Sequence, residues 1–383
     1  MPALLYLFSA VNLIIGTGAF VLTGILGLVA QDLGLSVAAA GQAITAYAIS
    51  TALLAPLLLL ATGGWPRKRA LLLALALFAV GNAVCAGAPN LPTLLAGRVL
   101  MGLGASFTPL AASIAVATVQ PQQRGKALAL VFLGVSLSYA VGLPLGSWLG
   151  TAHGWHAAVW AVAAASVLAA LAVAAWVPAT VQSPGASFTG LGTLLARRDV
   201  LAALLLTLLY FTAIFSVFSY IGPVLNALAA MDNARLSLTL MLFGLSGVAG
   251  TLLGGVAIDR FGALATLRVQ LLVLLVMMAV LPLTAGSYAA MLAVMLVWGT
   301  AGFGMMAPQQ LRLTQLAPTQ APVLLSLNTS MLYLGTAAGA VVGGMASAAL
   351  GFASLPWAGA PFALVGLVLL WATGSQRCAP VTG

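Results

Sequence analysis

The hydropathy pattern of this 383-residue chain is a series of long apolar runs separated by short polar turns. A helix needs about 20 apolar residues to cross a hydrocarbon layer of about 30 Å. Runs of that length predict helical spans over residues 4–29, 37–62, 70–88, 92–118, 127–151, 156–177, 200–228, 235–257, 263–284, 287–316, 322–348 and 352–374. A membrane barrel would instead alternate apolar and polar positions over segments of about 10 residues. The breaks carry turn chemistry, as in Asp32-Leu33-Gly34, Gly63-Gly64-Trp65-Pro66, Pro89-Asn90-Leu91-Pro92 and Gln120-Pro121-Gln122-Gln123. The longest polar break, Pro178 to Asp199, is rich in Ser, Gly and Pro. It divides the chain into a bundle at 1–177, a linker at 178–199 and a second bundle at 200–383. The first run has no basic leader or small-residue cleavage site and is expected to be a retained span.

The two halves repeat one another in order. Asp32 after span one pairs with Asp232 after span seven, and Ser50 to Gly64 pairs with Ser246 to Arg260. Gly102-x-Gly104 in span four pairs with Gly302-x-Gly304 in span ten. Gly142, Gly146 and Gly150 in span five pair with Gly335, Gly339 and Gly343 in span eleven. Glycines four apart bare one helix face, which lets backbones approach closely. Such faces are expected to pack helices and to let the halves slide, with Pro144 bending the first. The fold class is an all-α membrane protein of twelve spans in two six-helix pseudo-repeats, an architecture suited to alternating access.

Composition sharpens this. Hydrophobic residues make up 63% of the chain and charged residues only 4%, against about a quarter charged in soluble domains. That excludes a soluble enzyme, a nucleic-acid binder and a disordered chain. The net charge of +9 reflects placement. With the N-terminus in the cytoplasm, the inner turns and tail carry Arg67, Lys68, Arg69, Arg124, Lys126, Arg197, Arg198, Arg260, Arg268, Arg312 and Arg377, whereas the outer turns carry Arg235. This is the positive-inside bias of a bacterial inner-membrane protein with both termini cytoplasmic, facing anionic lipid. Cys85 and Cys378 lie far apart in the spanning order, so neither a disulfide nor a metal site is expected.

Several segments resemble a known family. Gly16-Thr17-Gly18-Ala19-Phe20-Val21-Leu22-Thr23-Gly24, Asp32-Leu33-Gly34, Ala40-Gly41 and Tyr47-Ala48 resemble the drug:proton antiporter branch of the major facilitator superfamily. Arg98-Val99-Leu100-Met101-Gly102-Leu103-Gly104 resembles its span-four motif, and Gly142-Leu143-Pro144-Leu145-Gly146 its span-five antiporter motif. Arg67-Lys68-Arg69 resembles the basic end of the loop motif between spans two and three. The overall pattern is similar to sugar-efflux, arabinose-efflux-like and chloramphenicol-resistance exporters. The resemblance implies an inner-membrane exporter of small solutes that works against proton entry, with no cofactor and as a monomer. Two departures stand out. The loop motif's Asp-Arg pair is replaced by Gly63-Gly64-Trp65-Pro66, while its second-half equivalent is Asp259-Arg260-Phe261-Gly262. The acidic residue common before the span-one Phe is Ala19.

A proton-coupled carrier needs a titratable group in its path. The acids here are Asp32, Asp199, Asp232 and Asp259, all at span ends or in turns, and His153 and His156 fall in one outer turn. Asp32 is the coupling candidate, and it equally fits a turn or helix-end role. Arg98 is the one charge well inside a span, and an unpaired guanidinium there costs at least a few kcal/mol. Its partners must be neutral groups, backbone carbonyls, water or substrate. It is expected to be a hub tying spans one, two and four, and to make the cavity electropositive if it reaches it.

The resemblance places the central cavity among spans one, four, seven and ten. Candidate substrate-binding residues are Asn12, Thr17, Arg98, Tyr210, Tyr220 and Trp298, with Gln42, Tyr47, Tyr139, Asn328 and Tyr333 on neighbouring spans. Ser106, Thr108, Thr212, Ser216, Thr300, Gln309 and Gln310 are further polar positions on these spans. Trp298 occupies the repeat position of Arg98, so the halves would offer different chemistry. Arg67, Lys68, Arg69, Asp259 and Arg260 are candidate gate residues. The expected function is export of small organic solutes by rocker-switch alternating access. The alternative is an uncoupled facilitator or importer, because no span interior holds an acid. A membrane enzyme is not expected, since no nucleophile or acid–histidine cluster is present.

Overall fold

The computed structural model describes residues 2–120, 124–181, 192, 195–317 and 321–374. Among the described residues, twelve helices are long and apolar enough to cross a membrane. Spans one to six are Ala3–Asp32, Val37–Leu59, Arg67–Ala86, Leu91–Ala115, Leu130–His153 and Trp155–Trp176. Spans seven to twelve are Arg198–Phe218, Asn233–Ile258, Arg260–Thr284, Tyr288–Leu316, Leu327–Leu350 and Pro356–Thr373. They match the apolar runs closely, because an apolar run of this length can satisfy its backbone in a bilayer only as a helix.

The turns are as tight as their sequences imply. Asn90 caps span four, its side chain accepting from Thr93 N at 3.0 Å, with Pro92 in the first turn. Asp232 caps span eight in the same way through Arg235 N at 2.8 Å. Spans eight and nine join with no loop. The chain reverses at Gly262 with φ of 77°, a conformation that glycine adopts without a Cβ clash. Successive spans run antiparallel. One end of the bundle therefore collects the Arg67–Arg69 turn and the Gly262 turn, and is called the basic end here. The opposite, far end holds Asp32, His156 and Gly154.

The repeat is visible in the backbone. Span one leaves helical geometry at Ile25 (φ −118°, ψ 18°); span seven ends at Phe218, and after a break at Tyr220 (φ −118°, ψ 24°) a short helix, Ile221–Leu228, continues it. Span four breaks between Gly104 and Phe107, and span ten between Phe303 and Met306. Each of those breaks falls at a matched glycine pair. The halves differ in their fifth helices. Span five contains a π-turn over Ser138–Gly142 just before Pro144, which has no N–H to donate and forces the ladder to slip. The helix of span eleven runs from Ala321 to Leu350 without such a break.

The glycine ladders work within each half, which corrects the expectation that they let one half slide on the other. A Cβ on Gly150 would sit 2.9 Å from Ile25 Cγ2 of span one, and a Cβ on Gly339 would sit 2.8 Å from Thr212 O of span seven. Contact between halves uses other glycines. A Cβ on Gly222 would lie 2.6 Å from the Gly24 carbonyl oxygen, so the two kinked helices touch near the far end. Gly244 of span eight lies against the π-turn, where a Cβ would come 2.5 Å from Ala140 Cα. Spans two and eleven also meet, with Ser330 Oγ donating to Ala52 O at 3.2 Å. Towards the basic end, the second pieces of spans four and ten pack within their own halves, the first against spans three and five and the second against the helix that carries spans eight and nine and against span eleven.

Candidate transport path

Arg98 is buried, 1% exposed. Its Nη1 donates to Gly18 O at 2.8 Å, Nη2 to Ala19 O at 2.8 Å and Nε to Ala43 O at 3.1 Å. The guanidinium also lies over the Tyr47 ring, 5.0 Å from its centroid. Gly and Ala at these positions leave the carbonyls uncovered by side chains. Three charge-assisted bonds together with a cation–π contact offset the desolvation of the buried cation. Arg98 thus ties spans one, two and four through three backbone carbonyls and the Tyr47 ring. The guanidinium is buried in this hub, so the electropositive cavity considered from sequence has no support here.

Asn12 and Asn328 sit in matching polar nodes. Asn12 Nδ2 donates to Val131 O at 3.0 Å, and its Oδ1 accepts from Thr108 Oγ1 at 2.7 Å, joining spans one, four and five. In the second half, Thr207 Oγ1 donates to Asn328 Oδ1 at 2.6 Å and accepts from Gln309 Nε2 at 2.9 Å, joining spans seven, ten and eleven. The first node is complete. The second leaves Asn328 Nδ2 and Gln309 Oε1 buried without partners. Thr207 escaped the sequence reading because a lone threonine in a span is unremarkable there.

The tyrosines divide by role. Tyr210 O–H donates to Gly302 O at 2.8 Å, next to the span-ten break. Tyr220 O–H donates to Ala340 O at 2.8 Å, and its ring faces Gly41 of span two, where a Cβ would come 2.7 Å from Cζ. Both serve as braces. Tyr47 and Tyr333 meet edge to face at 6.2 Å across the halves. Thr17 Oγ1 bonds its own helix at Leu13 O, 2.7 Å away. Gln42 is exposed on span two.

Tyr139 belongs to a ring cluster that the sequence reading largely missed. It stacks on Phe20 at 4.8 Å and meets Phe303 edge to face at 4.6 Å and Phe218 at 5.9 Å. Phe20 also touches Phe215 at 5.7 Å. The chain of rings continues through Phe243 to Trp298, 5.2 Å apart. Phe20 and Tyr139 come from the first half and the other rings from the second. No member is charged. The available signal was Phe211, Phe215 and Phe218 at helical spacing on span seven.

The acids lie away from this cluster. Asp32 Oδ2 accepts from Trp155 Nε1 at 2.9 Å and lies 3.1 Å from His156 Nε2. His156 Nδ1 is 2.6 Å from Ala86 O, and its ring stacks on Trp155 at 3.8 Å. These contacts clasp spans one, three and six at the far end, all within the first half. Asp199 accepts from Arg197 Nη2 at 2.7 Å, which pushes the guanidinium pKa up. Among the gate candidates, Arg67 donates to Gly63 O at 3.0 Å, while Arg69 and Arg260 are exposed and Lys68 is half-exposed. The Asp259 side chain lies outside the described residues. Among the described residues, no group of three or more His, Cys, Asp or Glu could hold a metal.

This arrangement is that of a helical membrane protein whose two halves meet at an uncharged ring cluster. Residues 8–322 match the Major Facilitator Superfamily, and the chain belongs to that superfamily. It is 33% identical to the inner membrane transport protein YdhP of Escherichia coli K12, over 96% of this chain and 94% of that one. It is 34% identical to a chloramphenicol resistance protein of Streptomyces lividans, over 89% of this chain and 88% of that one. The nucleoside transporter NupG shares the fold with a TM-score of 0.74 at 14% identity, over 97% of this chain and 98% of that one. The human organic anion transporter MFSD10 does so at 0.68 and 17%, over 97% and 100% of the two chains. The protein is therefore a multi-pass membrane transporter of small solutes.

Proposed function

We propose that this protein exports small, uncharged aromatic or amphipathic solutes from the bacterial cytoplasm across the inner membrane. The observation that carries the reading is the uncharged ring cluster shared between the halves, combined with an Arg98 that is committed to backbone carbonyls. Apolar walls with few polar groups suit such solutes. Chloramphenicol, an uncharged nitroaromatic amide named in one relative, is the first compound to try. The basic end is read as cytoplasmic by the positive-inside rule. Residues 1–177 and 200–383 are read as two rocking bodies joined by 178–199, with Arg67, Lys68, Arg69, Asp259 and Arg260 gating the cytoplasmic side. The carrier is read as a monomer.

The test is uptake of chloramphenicol into inside-out proteoliposomes under an imposed pH gradient. Uptake above protein-free vesicles is expected, as is a loss of about tenfold in Tyr139→Ala with retention in Tyr139→Phe. Equal uptake in all three would remove the ring cluster from the path. A second reading, an uncoupled facilitator, is favoured by the position of Asp32, whose bonds stay inside the first half. Downhill movement that ignores the pH gradient supports it. Uphill movement that is lost in Asp32→Asn supports antiport through that carboxylate.

A further inference from the structure

Spans nine, ten and twelve come together at the basic end of the second half, and they bring two arginines to one corner. Arg268 follows the Gly262 turn by less than two helical turns on span nine, and Arg312 stands in the last turns of span ten, which ends at Leu316. Trp371 and Thr373 close span twelve. At 1.5 Å per residue both arginines lie within roughly 10 Å of their helix ends, where the hydrocarbon layer gives way to headgroups. The Arg268 guanidinium lies over the Trp371 ring, 4.2 Å from its centroid. Arg312 is 8% exposed, and its Nη2 donates to Thr373 Oγ1 at 3.1 Å. Each arginine feels the charge of the other.

Neither cation is matched by an anion. The two ion pairs among the described residues lie elsewhere, His156 with Asp32 and Arg197 with Asp199. The charge of Asp199 reaches Arg312 through space, but its carboxylate is already held by Arg197 at 2.7 Å. Among the described residues Arg268 donates no hydrogen bond. Its Nε is closed off, whereas its two terminal nitrogens stay open at the surface. Like charges held together repel, most strongly where water is scarce, and an anion placed against the open guanidinium fork offsets both.

The repeat shows that the fold does not require these cations. In the register that pairs Ser50–Gly64 with Ser246–Arg260, Arg268 falls on Leu72. In the register that pairs Gly102 with Gly302, Arg312 falls on Ala112. The first half builds the same corner from apolar residues. Deeper in the bilayer the surface beside Arg268 is apolar too. Leu272 and Val276 follow it on one face of span nine, and Leu364 and Val368 precede Trp371 on one face of span twelve. All four are exposed on the surface that the bilayer covers. An open cation at headgroup level above an apolar strip has the polarity profile of one phospholipid.

We propose that Arg268, backed by the charge of Arg312, binds the phosphate of an anionic phospholipid whose acyl chains lie along Leu272 and Val368. A guanidinium fork suits bidentate contact with phosphate oxygens, and the Trp371 ring holds that fork in place. A zwitterionic lipid carries its own cation to the corner and gains less. Free phosphate shares the chemistry of the head but leaves the apolar strip uncovered. The site does not depend on the export reading, because its test measures binding without transport.

The experiment uses the full chain in phosphatidylcholine nanodiscs doped with a phosphatidylglycerol that bears a diazirine in one acyl chain. Adducts are mapped by mass spectrometry. Labelling is expected over segments 268–276 and 364–371, and excess unlabelled phosphatidylglycerol should suppress it. Arg268→Gln should lower it by about tenfold, a step of about 1.4 kcal/mol in binding. Arg198→Gln, which removes an exposed cation from the same end, should leave it unchanged. An equal fall in Arg198→Gln would reduce the effect to diffuse surface charge and overturn the proposal. So would equal labelling of these segments by a diazirine-bearing phosphatidylcholine, which would mark a furrow for chains alone. That comparison of two lipids is made on the unmodified chain, so it stands even where Arg268→Gln fails to fold. Loss of labelling in millimolar inorganic phosphate at constant ionic strength would assign the cations to a free anion and overturn the lipid.

Discussion

The two halves share a backbone plan yet treat their amides and buried cation differently. The first half leaves the Tyr47 hydroxyl, Asn82 Oδ1, Ser106 Oγ and Ser147 Oγ without partners, but its hub and its Asn12 node are paired. Arg98 satisfies three carbonyls, Asn12 is complete, and Asp32 is clasped by Trp155 and His156. The second half leaves Asn328 Nδ2, Gln309 Oε1 and Gln270 Oε1 without partners and puts Trp298 where Arg98 would be. A polar node that is fully paired rigidifies the helices it joins, so the Arg98 and Asn12 nodes brace the first half more firmly than the Asn328 node braces the second.

The sharpest way to break this comparison is at the matched Arg98 and Trp298. Arg98→Ala should cost at least about 3 kcal/mol, from three charge-assisted bonds at about 1.5–3 kcal/mol each, and abolish transport. Arg98→Lys should not rescue it, because a point charge cannot serve three carbonyls on two helices. Trp298→Phe should keep most activity, since only packing on Phe243 is altered. Thermal unfolding in detergent with uptake on the same samples checks all three. A fully active Arg98→Lys would remove the hub.

Next come the matched glycines. A Cβ on Gly102 would meet Ser50 Cβ at 2.5 Å and Thr51 N at 2.9 Å, whereas on Gly302 it would make ordinary contacts with Trp298 at 3.6 Å and Ile214 Cδ1 at 3.7 Å. Gly102→Ala should therefore destabilise by about 1–3 kcal/mol through overpacking. Gly302→Ala should be neutral or stabilise by up to about 1 kcal/mol through helix propensity. Equal melting shifts would show that the two helix faces are packed alike.

The asparagine nodes give a smaller contrast. Asn12→Leu strands the Thr108 hydroxyl and should cost about 1–3 kcal/mol. Asn328→Leu also removes a buried donor that has no partner, so its net cost should be smaller. The reverse order in paired melting curves would contradict the complete and incomplete nodes. The smallest effect is expected from Asp32→Asn, which keeps an oxygen to accept from Trp155. Transport should be unchanged, and a lost pH dependence would instead make Asp32 the coupling carboxylate.

Much of this was legible in the sequence for physical reasons. A span must be an apolar helix, so the twelve runs declared themselves. A guanidinium in such a run must find acceptors, so the Arg98 hub followed from a single letter. The matching kinks at Ile25 and Tyr220 were not legible, because neither residue carries a turn signal. The ring cluster was hidden because its members are spread over several helices and each looks like ordinary packing.

The ring cluster has a consequence for how such a carrier diversifies. It draws Phe20 and Tyr139 from one half and Phe215, Phe218, Phe243, Phe303 and Trp298 from the other. A population selected for resistance to a new compound would have more places to change the rings on the second-half side, and fewer structural penalties there. Its adaptive mutations should gather downstream of the linker, leaving the first half as the inherited frame.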